Sequence, residues 1–171
     1  MAKIILTTHQ KGGVGKSTIT YNLAENLKSS AEVCIVDMDS QGSLLHLSEL
    51  AKVPIFSGSE LKKIINSDYD FIFIDTPPYL NDSISDLCKM ADVIIIPTKA
   101  GILDLLAIKS TIDIVKEAKS EKKAVIVFNM VKPNTTLTDE IKNQLKEYEI
   151  KVSKNMLSDL VAFSQIGRAH V

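Results

Sequence analysis

Apolar residues along this chain fall into short dense runs, separated by longer stretches in which they recur every three or four positions. The runs are "KIILTT" (3–8), "EVCIVD" (32–37), "FIFID" (71–75), "VIIIP" (93–97) and "AVIVFN" (124–129). Nearly continuous runs of this length suit strands covered on both faces, as in a parallel sheet. The spaced stretches read as amphipathic helices. Residues 17–29 put Ile19, Leu23 and Leu27 on one face, and residues 102–119 do the same with Leu105, Ile108, Ile112 and Val115. Residues 81–90 and 138–148 read as shorter helices with Asn81 and Thr138 as N-caps. "VPIFSGS" (53–59) reads as a surface loop. Strands alternating with helices predict an α/β fold, a doubly wound and mostly parallel sheet with helices on both faces.

The polar residues that matter sit where the apolar runs stop. Asp37, Asp75 and Asn129 each end a run, and a glycine-rich loop follows the first run. In open α/β sheets ligands bind outside the carboxyl ends of the strands, so these features converge on one crevice. The loop is "HQKGGVGKSTIT" (9–20). A phosphate-binding loop reads G-x-x-x-x-G-K-[ST]; Gly15, Lys16 and Ser17 fit its second half, while Gln10 stands where its first glycine belongs. Gly12, Gly13 and Gly15 let the backbone turn N–H groups toward an anion without Cβ clashes. A helix starting near Lys16 adds its positive end. Lys16 can reach β- and γ-phosphates, Ser17 can ligate Mg²⁺, and Thr18 can support the α-phosphate. A glycine-rich turn with incidental lysines is the plainer reading. It does not explain why glycines, lysine and hydroxyl stand in register after a strand.

Composition narrows the setting. The 171 residues are 45% hydrophobic and 24% charged, with a formal net charge of -1, which fits one globular domain without a global basic field. Cys34 and Cys88 stand in apolar surroundings and in no metal-ligand pattern, so they read as small buried hydrophobes in a reducing, cytoplasmic setting. No apolar run reaches membrane-spanning length. His9, His46 and His170 show no partner pattern and read as structural or exposed, and the charged run 119–123 reads as a solvated helix end.

"KGGVGKST" (11–18) resembles the deviant Walker A motif of the ParA/MinD ATPases, in which the extra lysine is a signature. The resemblance spans residues 2–165 and implies that ATP is held by the whole loop: Lys11, Gly12, Gly13, Val14, Gly15, Lys16, Ser17 and Thr18. Lys11 is then the signature lysine, which reaches across a nucleotide-sandwich homodimer to the partner's ATP. "VDMDSQGS" is similar to the family's D-x-D element, with Ser40 in place of proline. This implies that Asp39 positions the attacking water and that Asp37 contacts the Mg²⁺ shell. "FIFIDTPPYL" resembles a Walker B strand and switch segment, which implies that Asp75 holds Mg²⁺ through a water. Asn129 is similar to an asparagine that contacts adenine. The catalytic set implied is Lys11, Lys16 and Asp39, and the metal set Ser17, Asp37 and Asp75.

The "DSQGS" continuation, the lack of clustered cysteines and the lack of a helix-turn-helix before the first strand resemble a small ParA. Such a protein partitions plasmid or chromosomal DNA. ATP builds the dimer, the dimer binds DNA nonspecifically, and a ParB-like centromere-binding partner stimulates slow hydrolysis. No membrane is expected, and the ATP form is nucleoid-associated. Rival readings are an ATPase that positions a protein cargo such as a carboxysome or chemoreceptor cluster, a MinD-like membrane-associated regulator, and a nucleotide-gated binding module without turnover. Toward the C-terminus, "LSDLVAFSQ" resembles a family segment with Leu160 in place of arginine, and residues 166–171, "IGRAHV", can be encoded by a common sequencing-library adapter. We therefore expect an ATPase domain over 1–165, shortened at its C-terminus, followed by an adapter-derived tail over 166–171.

Overall fold

The computed structural model describes residues 1–39, 41–42, 44–79, 83–131 and 137–158, with only the backbone for 137 and 139. Seven strands form one sheet: β1 (Lys3–Thr7), β2 (Val33–Asp37), β3 (Ile55–Ser57), β4 (Phe71–Asp75), β5 (Val93–Thr98), β6 (Ala124–Phe128) and β7 (Lys151–Val152). Their order is β3-β2-β4-β1-β5-β6-β7, and every pairing is parallel. The helices are α1 (Lys16–Leu27), α2 (Leu61–Ile64), α3 (Ile84–Met90), α4 (Ile102–Glu117) and α5 (Leu137–Leu145). The doubly wound α/β expectation therefore holds, and the sheet is wholly parallel.

The dense apolar runs behave as they must in such a sheet. β2 is buried at all five positions, and β1, β4 and β5 are open only at their first residue. The core lies in two layers. One packs α3, α4 and α5 residues such as Leu87, Ile108, Ile112 and Ile141 against Leu6, Ile74 and Ile96. The other packs Ile19 and Ala24 of α1 against Ile5, Ile35 and Phe73. β6 covers only one of its faces: Ala124, Ile126 and Phe128 are buried, while Val125 and Val127 are half-buried. Beside it runs a 380 Å³ groove lined by Ile19 and Leu23 of α1, Ile95, Val127 and Leu157. Pro97 is tolerated inside β5 because β1 pairs with β5 only as far as Ile95, so no ladder bond is lost on that side.

Several local expectations are corrected. The stretch 53–59 is not a plain loop: Ile35, Val36 and Asp37 pair with Ile55, Phe56 and Ser57 along the sheet edge. Three residues are too few for a periodic signal, and flanking Pro54 and Gly58 disguise them. β7 escaped for the same reason. The buried side of α1 is Lys16, Ile19, Thr20, Tyr21 and Ala24, whereas Leu23 is 39% exposed and faces the groove. Thr138 lies inside the first turn of α5, buried, rather than at its N-cap. The proposed cap Asn81 lies outside the described residues, as do Ser40, Leu160 and the tail 166–171; the described helix there begins at Ile84.

Candidate functional site

The sheet register brings the site together. Thr7 pairs with Asp75, and Asp75 with Asp37, so three strand ends stand side by side at one level of the crevice. The loop crosses above them from β1 to α1. Gly13 and Gly15 take left-handed backbone conformations at φ 70° and 92°, which an L side chain resists. A Cβ on Gly12 or Gly13 would meet nothing within 4 Å, so both border open space above the loop. Gly15 caps α1 without any side-chain hydrogen bond, which leaves the helix N-terminus open to an anion. Val14 beneath them is fully buried and anchors the turn.

The two loop lysines point to different places. Lys16 is buried, and its Nζ donates to the Lys11 carbonyl at 3.2 Å. Burial holds its pKa below the usual lysine value, opposed by the charges of Asp75 and Asp39. Lys11 sends its ammonium the other way, to Asp104 Oδ1 at 2.6 Å. Its backbone N–H donates to His9 Nδ1 at 2.8 Å. His9 is buried with a pKa lowered to about 4, first by desolvation and then by the Lys16 charge. It is therefore neutral, with its hydrogen on Nε2, an atom buried without a partner.

The acids divide the labour. Asp75 accepts from Ser17 Oγ at 2.6 Å and from Thr20 Oγ1 at 3.3 Å. Burial raises its pKa to about 7, against the lowering by the Ser17 bond. Asp37 spends both oxygens on backbone: Oδ1 accepts from Asp39 N–H at 2.9 Å, and Oδ2 from Leu44 N–H at 2.9 Å and Leu45 N–H at 3.2 Å. In this arrangement it builds the loop that carries Asp39. Asp39, half-buried, accepts from Gln41 N–H at 2.9 Å and adds its charge beside Lys16. Asn129 donates from Nδ2 to the Val14 carbonyl at 2.9 Å, so it braces the loop from the far side. After the Pro77–Pro78 turn, exposed Tyr79 holds φ at 59°, a strained conformation that marks the segment beside the acids. Thr18, half-buried on the first turn of α1, lines the groove together with Asn129.

The donor set suits Mg²⁺. A hydroxyl and a carboxylate 2.6 Å apart are hard oxygen ligands at the mouth of a phosphate cradle. No group of three or more His, Cys, Asp or Glu is poised to cage a metal among the described residues.

Sequence reasoning assembled the loop, Asp37, Asp39, Asp75 and Asn129. It read His9 as structural or exposed, and His9 is the buried structural kind; it missed Thr20, Thr111 and Asp104. Thr111 Oγ1 accepts from Gln10 N–H at 3.0 Å, so α4 grips the loop at two points. A buried acid in the first turn of a helix carries no signal in the sequence, because exposed acids there are ordinary.

Residues 5–170 match the CobQ/CobB/MinD/ParA nucleotide binding domain. The chain is 30% identical over 157 residues to maintenance of carboxysome distribution protein A of Halothiobacillus neapolitanus, covering 83% of this chain and 73% of that one. It is 26% identical to chromosome partitioning protein ParA of Myxococcus xanthus, covering 96% of this chain and 80% of that one. Its fold matches cobyrinic acid a,c-diamide synthase of Mycobacterium smegmatis, solved with an ATP analog and magnesium, at a TM-score of 0.73 and 16% identity over 98% of this chain and 91% of that one. The chain is thus a member of the CobQ/CobB/MinD/ParA family of nucleotide-binding domains.

Proposed function

We propose that this chain is a ParA-type ATPase that partitions DNA by an ATP-dependent dimerisation switch. The observation that carries the reading is the divergence of the two loop lysines. Lys16 keeps its ammonium on the loop at the Lys11 carbonyl, while the Lys11 ammonium turns away from it to Asp104 on α4. A cation on the loop that does not face its own seat is available to another. The turn of α4 that carries Asp104 also exposes Ile102, Leu103 and Leu106 at 67%, 74% and 69%. An apolar ridge beside Lys11 suits a protein partner, and a second copy is the partner that brings a second ATP.

The chain's own residues supply the rest. N–H groups of 12–18 cradle the phosphates, and Lys16 neutralises charge on the transferring group. Ser17 and Asp75 would hold Mg²⁺, whose bound form draws charge from the phosphate oxygens. Asp39, set by the Asp37-built turn, orients the attacking water. Lys11 from the second copy stabilises the departing γ-phosphoryl group, as an arginine finger does. Asn129 lies beside the loop where a base edge could meet its amide. The dimer then binds DNA through phosphate contacts, and a ParB-like protein triggers release. No described helix is long and apolar enough to cross a membrane.

Two variants test the scheme. Lys11→Ala is expected to bind ATP in equilibrium dialysis yet fail to dimerise by light scattering and fail to release phosphate. Retained dimerisation and turnover would remove Lys11 from its role in trans. Asp39→Ala is expected to bind ATP and dimerise but lose phosphate release by about 10²–10⁴-fold. Equal release from both proteins would take the water away from Asp39.

The 30% identity to a carboxysome distribution protein supports a second reading, positioning of a protein cargo by the same switch. A plasmid-retention assay separates the two. Deletion that leaves plasmid inheritance intact while a protein assembly loses its spacing favours the cargo.

A further inference from the structure

Lys11 is a junction. Its N–H goes to His9, its carbonyl receives Lys16, and its ammonium is held by Asp104. Asp104 is an unusual anchor. It lies in the first turn of α4, where an acid is normally solvated, yet only 8% of it is exposed. The local sequence is built to turn it inward. A Cβ on Gly101 would stand 2.7 Å from Asp104 Oδ2, so any other residue before the helix would push the carboxylate aside. Two turns further along α4, Thr111 takes the N–H of Gln10. The loop's front half is therefore pinned by one neutral bond and one ion pair. Lys11 is the one cation in contact with Asp104 among the described residues, and the neighbouring His9 is neutral. When the ammonium leaves, a buried carboxylate stays behind without a counter-charge, which is costly.

We propose that Asp104 is the positioning residue for Lys11: it stores the ammonium on α4 in the single subunit, and its buried charge sets how readily the lysine is released to a second copy of the chain. The inference rests on the reading of Lys11 as a residue that acts in trans. Asp104 acts through Lys11, the residue its carboxylate holds. The ion pair opposes pairing of two subunits and keeps the ATP-loaded single subunit from dimerising at low concentration. Seating of the partner against α4 then supplies what frees the lysine.

The test compares dimer dissociation constants, measured by sedimentation with AMPPNP and Mg²⁺, for the wild type, Asp104→Asn and Gly101→Ala. Asp104→Asn keeps the shape and removes the charge; Gly101→Ala keeps the charge and displaces it. Both are expected to dimerise about tenfold more tightly, within the usual range of coupling between sites. Each is then repeated with Lys11→Ala, which is expected to stay monomeric in both, because the gain is the release of that lysine; a residue that merely supports the fold would promote pairing whether or not the lysine is present. Dimerisation unchanged or weakened in both single variants overturns the proposal, as does an advantage that survives Lys11→Ala. If Lys11→Ala by itself dimerises and hydrolyses like the wild type, the reading in trans falls and takes this proposal with it. If Lys11→Ala fails to dimerise but neither Asp104→Asn nor Gly101→Ala tightens the dimer, the role of Asp104 alone is refuted.

Discussion

Gly15→Ala is expected to abolish ATP binding and to destabilise the chain by about 1–3 kcal/mol, the usual cost of an L residue in a sparsely populated backbone region. Two independent obstacles meet at this position. The backbone sits at φ 92°, beyond the left-handed well that non-glycine residues tolerate. A Cβ would also stand 2.1 Å from Asn129 Nδ2, the atom that donates to the Val14 carbonyl. The amide can swing aside, since it ends a flexible side chain, but it then abandons its bond to the loop. The glycine carbonyl also accepts the Ile19 N–H that starts α1, so relaxing φ moves the helix N-terminus off the phosphate seat. The double variant Gly15→Ala/Asn129→Ala separates the two. It should recover the part of the lost stability due to the clash and none of the affinity, as read by chemical denaturation and by ATP titration. A double variant that binds ATP like the wild type would show that the φ constraint is not what Gly15 serves.

This coupling of Gly15 to Asn129 marks where the sequence ceases to be legible. The loop, the strand ends and the order of acids could be read because a parallel sheet forces apolar runs and leaves polar residues at their carboxyl ends. Asp37, Asp39 and Asp75 were therefore visible one by one. What each carboxylate touches was not. Asp37 gives its oxygens to N–H groups up to Leu45, a contact that exists only once the loop is folded. Asn129 reaches Val14 across the sheet, and Asp104 reaches Lys11 from the first turn of α4. The same limit explains α1. Its spaced leucines suggested a face through Leu23, but the helix is rotated so that Ser17 and Thr20 point at Asp75, and Leu23 is left at the groove. The functional contacts set the phase of the helix, and the apolar pattern follows only in part.

Asp75 gives the second large effect, in stability against pH. Its carboxyl ionises near pH 4 in the unfolded chain, while in the folded chain burial raises its pKa to about 7. Between those values the folded state carries a proton that the unfolded state has lost. Stability must then fall as pH rises through that window, and the full penalty, on the order of 4 kcal/mol, is present above pH 7. Asp75→Asn removes the titration while keeping an acceptor for Ser17 or Thr20. Without nucleotide or Mg²⁺, the variant should melt close to the wild type at pH 4 and up to about 10 °C higher at pH 8, by scanning calorimetry across buffers. A melting difference that stays flat with pH would place the Asp75 proton elsewhere. The same variant should lose Mg²⁺-dependent nucleotide binding, because a neutral amide offers the ion no charge. Destabilisation of the empty site by this carboxylate and its use when the site is filled are then one property: the charge that is costly in an empty crevice is the charge a divalent ion would neutralise. The chain would hold Asp75 ready at the expense of its own stability, and it should recover that stability on binding, as a rise in melting temperature with Mg²⁺ and AMPPNP that is larger at pH 8 than at pH 6.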